Sequence, residues 1–150
     1  MLANYLDHYA HNLLVINVKE DGLEEEILMM IERKSIKSYF FLDQAYPTII
    51  KNSNKNIISS GRLSKFESID TIKNMSNKIS WVWVDYYENK FPISLEQLGN
   101  VKEEHNLRFC LVSPELHGYD LSFVDEYKEN IEEFLPYMDA VCTKHPSKWR

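Results

Sequence analysis

The sequence contains few glycines and no glycine-rich motif for binding phosphate. Only 4 of its 150 residues are glycine, and neither a Gly-x-Gly-x-x-Gly pattern nor a phosphate-loop pattern occurs. Such motifs need glycine because the backbone must turn tightly and approach the phosphate groups closely. A classical doubly wound nucleotide-binding fold is therefore disfavoured.

Excess positive charge and long apolar runs are also missing. The formal net charge is −6, so no global basic field attracts nucleic acid or an anionic membrane. No apolar run approaches the roughly 20 residues of a membrane-spanning helix, and residues 1–12 lack the basic-then-apolar order of a signal peptide. We therefore expect a cytoplasmic protein that has no membrane span and does not bind nucleic acid.

Cysteine is scarce. The two cysteines, Cys110 and Cys142, each lie inside an apolar run. This placement favours buried, reduced thiols in a reducing compartment, with a disulfide as the minor alternative. A nucleophilic role for Cys110 is disfavoured because no histidine adjoins it in the sequence.

Short apolar runs separated by helix-like segments dominate what is present. This alternation predicts about six parallel strands joined by right-handed helical crossovers. The length suits one domain over residues 1–150, with an N-terminal arm at 1–12 and the α/β part at 13–150. The predicted strands are Leu13–Ile16, Tyr39–Leu42, Asn56–Ser59, Ser80–Val84, Phe109–Val112 and Ala140–Cys142.

Helix signals lie between these runs. Helices are predicted from Leu23 to Lys34, from Pro47 and over residues 67–76. Ser94 and Gln97 form a capping-box pattern before a helix that ends near His105. Ser122 is expected to cap a last helix whose apolar stripe reaches Phe134 and which Pro136 ends.

Polar clusters follow the strands. They include Asn17–Asp21, Asp43-Gln44, Gly61-Arg62, Asp85–Glu88, Ser113–His117 and Thr143–Pro146. In parallel α/β folds, binding and catalytic sites form where each strand gives way to its helix. The sequence therefore predicts a site at the carboxyl ends of the strands.

These clusters, in this order and spacing, resemble glycerophosphodiester phosphodiesterase-like barrels, and most closely a small, divergent bacterial subgroup. The resemblance runs from Val15-Ile16-Asn17-Val18-Lys19-Glu20-Asp21 to Asp139-Ala140-Val141-Cys142-Thr143. It implies an incomplete (β/α)8, or TIM-type, barrel that holds only strands three to eight. The family's His-Arg-Gly and Glu-x-Asp motifs, which supply a catalytic histidine and metal carboxylates, do not occur here.

The resemblance and the positions at strand ends together indicate candidate residues for binding phosphate and a metal ion. Lys19 aligns with a family lysine near the substrate phosphate, and the alternative is a solvated loop lysine. Arg62 suits phosphate through its fork of donors, or else forms a surface ion pair. Asn17 stands where relatives place a carboxylate ligand for a divalent cation, calcium or magnesium. A polar residue pointing into the barrel is the preferred interpretation for it, because an amide oxygen is a weaker ligand.

Acidic residues and one histidine complete the set. Asp43, Asp85 and Glu115 could accept hydrogen bonds from sugar or glycerol hydroxyl groups, or cap the helices that follow. His117 is the best acid/base candidate, although the resemblance does not give it the family's catalytic role and a substrate-contacting or structural histidine is preferred. Trp83 is expected to form a wall against a sugar ring or to lie in the core.

Two expectations about function follow from the resemblance and from the missing motifs. The resemblance implies a metal-dependent phosphoric diester hydrolase, but the missing motifs predict that this chain alone is inactive. The alternative is a non-catalytic module that binds a phosphorylated polyol or sugar, or a fragment completed by another polypeptide. The exposed edges of an incomplete barrel would be covered by residues 1–12, by a homodimer or by that second polypeptide.

Overall fold

A computed structural model describes residues 2–87 and 90–150. Glu88, the last residue of one predicted polar cluster, lies outside the described residues. The chain forms two compact units, Met1–Ser59 and Ser60–Arg150. The strands are β1 (Leu14–Asn17), β2 (Tyr39–Leu42), β3 (Ser60–Leu63), β4 (Trp81–Val84), β5 (Arg108–Val112) and β6 (Ala140–Cys142). The α-helices are α1 (Leu2–Asp7), α2 (Glu24–Arg33), α3 (Tyr46–Ser53), α4 (Ile69–Met75), α5 (Leu95–His105) and α6 (Phe123–Asn130).

Parallel strands alternate with helices, which confirms the predicted α/β class. In the first unit β1 and β2 form a parallel pair, and in the second unit a parallel sheet has the order β3-β4-β5-β6. Sequential order of parallel neighbours is what short helical crossovers produce. The division into a single domain with an N-terminal arm stays a prediction.

The first unit builds its core on β1 and β2. Ile16 and Phe41, which are partners in the strand register, both belong to this core. Helix α2 contributes Ile31, which is fully buried, and α1 contributes Leu6. Apolar burial on both sides of the strands explains why their sequences are continuous apolar runs. The other members of the cluster are Leu14, Val18 and Ile57.

The second unit has a longer sheet with fully buried central strands. Every residue of β4 is buried, and in β5 only Arg108 is exposed. The guanidinium of Arg108 stacks on the Trp81 ring, 4.4 Å from its centroid, at the amino end of the sheet. Helix α5 begins with the predicted capping box of Ser94 and Gln97. These features hold the strands rigidly and so fix the positions of the residues that follow them.

The third strand differs from the prediction. It comprises Ser60–Leu63 and not Asn56–Ser59. Asn56 has a φ of +58° where α3 ends, so the apolar residues after it belong to the connection, in which Ser59 makes an isolated parallel bridge to Phe41. The strand was missed because it contains Gly61, a residue that is usually poor in strands. A Cβ on Gly61 would lie 2.7 Å from Ile72 Cδ1, so the buried Ile72 side chain would have to shift to admit a larger residue.

The end of the last helix was also predicted wrongly. Helix α6 stops at Asn130, and Pro136 lies inside a separate 3₁₀ helix, Glu132–Tyr137. Ser122 makes no side-chain capping bond; instead its backbone N–H donates to Asp120 Oδ1 at 2.8 Å. An apolar stripe alone does not distinguish one continuous helix from two shorter helical pieces, because both bury the same face.

Among the residues that the structure describes, no helix combines the length and the apolar character needed to cross a bilayer.

Candidate functional site

The carboxyl ends of four parallel strands lie together in the second unit. The register pairs Leu63 with Val84, Val84 with Leu111 and Leu111 with Val141. The residues that follow these strands therefore share one edge of the sheet, which we call the β3–β6 edge. The predicted residues Asp85, Glu115 and His117 follow their strands at this edge, and Arg62 lies beside them within β3, one residue before its end.

Asp85 is the buried centre of this edge. It is 1 % exposed, and its carboxylate forms an ion pair with Arg62 on the neighbouring strand. Its other oxygen accepts a hydrogen bond from Trp83 Nε1 at 3.0 Å. These contacts make Asp85 a positioning residue for Arg62, and they give Trp83 a polar role in addition to its buried ring. The sequence predicted either phosphate binding or a surface ion pair for Arg62. The structure contains the ion pair, which is partly buried and not fully at the surface.

His117 also faces Asp85. It ends a short 3₁₀ helix, Pro114–His117, and its Nε2 atom lies 3.3 Å from Asp85 Oδ1. The contact lacks hydrogen-bond geometry, so this buried nitrogen has no hydrogen-bond partner among the described residues. Burial, and after it the charge of Arg62, hold the pKa of His117 below its usual value. Asp85 does not reverse this direction because Arg62 already balances its charge.

Glu115 joins the ends of β5 and β6. Its Oε1 atom accepts hydrogen bonds from Thr143 Oγ1 at 2.5 Å and from the Lys144 backbone N–H at 3.0 Å, and Oε2 accepts one from Ser113 Oγ. Burial opposes its ionisation, but these hydrogen bonds outweigh that effect and lower the pKa of Glu115. Ser113 Oγ in turn accepts from Trp149 Nε1 at 2.9 Å. The network ties two strand ends to the C-terminal 3₁₀ helix, Pro146–Trp149.

The loop after β3 presents an aromatic residue that sequence reasoning missed. Phe66 is 76 % exposed, and its ring centroid lies 6.1 Å from that of Tyr87. Tyr87 in turn lies against His117, with ring centroids 4.9 Å apart. Lys65 Nζ lies 4.8 Å from the Phe66 ring centroid. The only sequence signal was an aromatic residue shortly after a strand end, which is too common to be specific.

The first unit brings three other predicted residues together. Asn17 Nδ2 donates to Asp43 Oδ2 at 2.9 Å, and Lys19 Nζ lies 3.5 Å from the same oxygen. Asp43 has a φ of +61°, a left-handed conformation that aspartate tolerates better than most residues. It does not cap α3, whose N-cap is Ala45. Lys19 is paired here, and its side chain is 77 % exposed.

A second polar network in this unit was not anticipated. Glu24 is only 4 % exposed; it accepts hydrogen bonds from the Gly22 backbone N–H and from Gln44 Nε2, both at 3.0 Å. Gln44 Oε1 accepts one from Ser59 Oγ at 2.8 Å. The carboxylate is satisfied by neutral donors, so it stabilises the loops around β2. The sequence showed Glu24 only as one of three adjacent glutamates.

The donor set near Asn17 does not fit a divalent cation. Calcium and magnesium take six or more oxygen ligands, several of them carboxylates. Asn17 turns its amide N–H toward Asp43, and the Lys19 ammonium lies beside the same carboxylate oxygen. Within residues 2–87 and 90–150, no group of three or more His, Cys, Asp and Glu side chains is arranged to hold a metal ion. The cation implied by the resemblance stays a prediction.

The cysteines are free thiols. Cys110 is buried in β5 and Cys142 is half-buried in β6. Burial raises the pKa of Cys110 to about 12, and it also raises the pKa of Cys142. Cys110 is therefore a protonated thiol near neutral pH, which argues against a nucleophilic role.

Comparisons with known proteins give no relative. No protein-family model, curated protein or solved structure matches the chain.

Proposed function

We propose that this chain is a non-catalytic module that binds a phosphorylated polyol, and that Arg62 at the β3–β6 edge contacts the phosphoryl group. The observation that carries the proposal is the Arg62–Asp85 pair. A buried carboxylate holds a permanently charged guanidinium in place, while the arginine side chain remains 28 % exposed. A guanidinium fixed in this way loses little side-chain entropy when it binds an anion.

Neighbouring groups support an anionic ligand. Lys65 follows Arg62 by three residues, and its ammonium lies over the Phe66 ring. The carboxylates of Asp85 and Glu115 accept hydrogen bonds from groups of the protein, so their negative charge is stabilised within the protein. The Arg62 guanidinium, which pairs with Asp85 but stays partly exposed, and the Lys65 ammonium are therefore the cations that we expect a phosphoryl group to meet.

Two properties support binding without phosphodiester cleavage. The chemistry of the family that the sequence resembles needs two histidines that exchange protons and carboxylates that hold a cation. The motifs that supply them are missing from the sequence. The one acid/base candidate at the β3–β6 edge, His117, has its pKa lowered by burial, so its proton-donating form is scarce at neutral pH.

The fold proposal is an incomplete (β/α)8 barrel of glycerophosphodiester phosphodiesterase-like ancestry. It is supported by parallel strands in sequential order within each unit and by polar residues at their carboxyl ends. In its sheet, β6 is a terminal strand, and all three of its residues are half-buried. A terminal strand of this kind can pair with another chain, so a homodimer or a complementing polypeptide belongs to the same proposal.

Binding and turnover are tested together on the purified chain. We expect glycerol 3-phosphate to raise the melting temperature, and we expect no hydrolysis of bis(p-nitrophenyl) phosphate with calcium or magnesium. Arg62→Gln should weaken ligand binding about tenfold or more, as expected for losing a charge-assisted hydrogen bond. Arg62→Lys should retain part of the binding because it keeps the charge. Arg108→Gln, at the opposite end of the sheet, is the matched control and should bind normally.

Two results would overturn this proposal. Robust metal-dependent turnover by the purified chain would contradict the non-catalytic assignment. Equal ligand affinity in the wild-type and Arg62→Gln proteins would contradict the role of Arg62. Size-exclusion chromatography with light scattering tests whether the terminal strand β6 pairs with another chain. A single monomeric peak excludes the homodimer, and it also shows that the chain needs no added polypeptide to stay in solution without aggregating.

A further inference from the structure

The loop after β3 exposes a phenyl ring at a cost. Phe66, at 76 % exposed, has the highest exposure among the large apolar side chains of the described residues. A solvent-exposed phenyl ring forgoes the roughly 1.5–3 kcal/mol that burying it would contribute. A single exposed apolar residue is common, so the exposure needs a second observation before it indicates a function.

That second observation is the hydrogen bonding of the loop. Ser64 is 4 % exposed, and its Oγ accepts hydrogen bonds from the backbone N–H groups of Phe66 at 3.0 Å and Glu67 at 3.3 Å. The Ser64 backbone N–H donates to Glu67 O at 3.1 Å, and the Ser64 hydroxyl donates to the Glu67 carboxylate. The loop is therefore closed on itself by a buried serine, and Phe66 is held outward by a defined backbone.

Continuous contacts connect Phe66 to the proposed phosphate site. Phe66 and Tyr87 have rings tilted by 57°, and together they form what we call the aromatic ledge. Tyr87 contacts His117, His117 faces Asp85, and Asp85 binds Arg62. The ledge is thus connected to the cation by successive contacts within the second unit.

We propose that the aromatic ledge selects a ligand whose phosphoryl group is attached to a six-membered polyol ring, such as a hexose or cyclitol phosphate. This inference rests on the proposed function. A polyol ring has a flat C–H face that can cover an aromatic ring, whereas the short open chain of glycerol has none. Covering the open part of the Phe66 ring removes apolar area from water, and the Lys65 ammonium, which lies over the same ring, can meet a phosphoryl oxygen.

The test compares four probes on the full chain by isothermal titration calorimetry: inorganic phosphate, glycerol 3-phosphate, glucose 6-phosphate and myo-inositol 1-phosphate. We expect at least one of the two ring compounds to bind about five- to tenfold more tightly than glycerol 3-phosphate, a difference of the size that aromatic contacts contribute. Phe66→Ala should remove this preference, so that the ring compounds and glycerol 3-phosphate bind with similar affinities. Phe66→Tyr should retain the preference, and Tyr46→Ala, which removes another exposed aromatic ring, should have no effect.

The outcomes separate the two proposals. If inorganic phosphate and glycerol 3-phosphate bind through Arg62 but neither ring compound binds more tightly, the ring inference is wrong and the proposed function stands. The same holds if the preference survives in Phe66→Ala. If none of the four probes binds to the wild-type chain, the proposed function itself fails, and the ring inference fails with it.

Discussion

Arg62 of β3 and Asp85, directly after β4, form an ion pair in which the carboxylate side chain is 2 % exposed and the guanidinium side chain 28 % exposed. The register places Arg62 beside Trp83, the residue whose indole nitrogen binds the same carboxylate. Arg62 of β3 and Trp83 of β4 therefore both donate hydrogen bonds to the Asp85 carboxylate. The candidate site is arranged around the Asp85 carboxylate, which positions Arg62 and need not contact a ligand itself.

Removing the carboxylate should destabilise the fold. In Asp85→Ala the Arg62 guanidinium loses its partner, and the Trp83 N–H loses its acceptor. We expect a loss of about 2–3 kcal/mol, below the usual cost of breaking a fully buried pair because Arg62 is partly solvated. Urea unfolding measures the change. Asp125→Asn, which breaks the exposed pair with Lys148, should change the stability much less, because solvent screens this pair. A similar cost for both variants would contradict the central role of Asp85.

Gly61 should not tolerate a side chain, whereas Gly99 should. A Cβ at Gly61 would lie 2.7 Å from Ile72 Cδ1 and 3.0 Å from Ile79 Cδ1, so Gly61→Ala is expected to cost about 1–3 kcal/mol. Gly99 lies within α5, where the nearest atom to a new Cβ is 3.8 Å away. Gly99→Ala should therefore stabilise the protein by about 0.4–1 kcal/mol. Thermal unfolding of the two variants tests whether Gly61→Ala lowers and Gly99→Ala raises the stability. Destabilisation by Gly99→Ala would show that α5 has no room for a methyl group at this position.

His117 should make the fold sensitive to mild acid. Its folded-state pKa is lowered by burial and by Arg62, with Asp85 and Tyr87 as its other neighbours. The unfolded chain therefore binds a proton more readily than the folded chain does. The contribution of His117 to the free energy of unfolding is fully present above the ordinary pKa of about 6.5, and it is lost as the pH falls through the folded-state pKa. His117→Gln should show a smaller loss of unfolding free energy on acidification. An NMR titration that places the His117 pKa above 6.5 would contradict this mechanism.

Glu115 should contribute stability at neutral pH that disappears at lower pH. Its pKa is lowered by hydrogen bonds from Ser113, Thr143 and the Lys144 amide, so this contribution is present above the ordinary pKa and is lost as the pH falls through the folded value. Glu115→Gln should lower stability at pH 7 by about 1–2 kcal/mol and reduce the acid sensitivity. Thr143→Val removes one of the donors and should cost about 1 kcal/mol. Unchanged stability in both variants would show that the network does not join β5 and β6.

Much of the fold followed from apolar patterning. The runs at residues 39–42, 81–84 and 109–112 are strands because their residues are buried by packing on both faces. The third strand was missed because its residues have low strand propensity and its glycine is favoured by the close approach of Ile72. Local pattern cannot report such a contact, since it depends on a helix that follows later in the chain.

The site was predictable in position but not in its internal contacts. The strand-end rule placed Asp85, Glu115 and His117 after their strands, where the structure has them. It also placed Arg62 after a strand at residues 56–59, whereas Arg62 lies inside β3. It could not show that Asp85 binds Arg62, because residues 23 positions apart meet only through the strand register. Phe66 was missed for a related reason: its exposure depends on the hydrogen bonds of the buried Ser64 hydroxyl.

The central claim is that Arg62 and its surroundings bind a phosphoryl group. Two-dimensional NMR of the isotope-labelled chain during titration with glycerol 3-phosphate, to about 10 mM, tests it most directly. We expect saturable shifts of the Arg62 side-chain N–H and of the backbone amides of Lys65 and Phe66, and no saturable shifts in Arg62→Gln. Unchanged spectra of the wild-type chain, or saturable shifts confined to residues away from the β3–β6 edge, would contradict it.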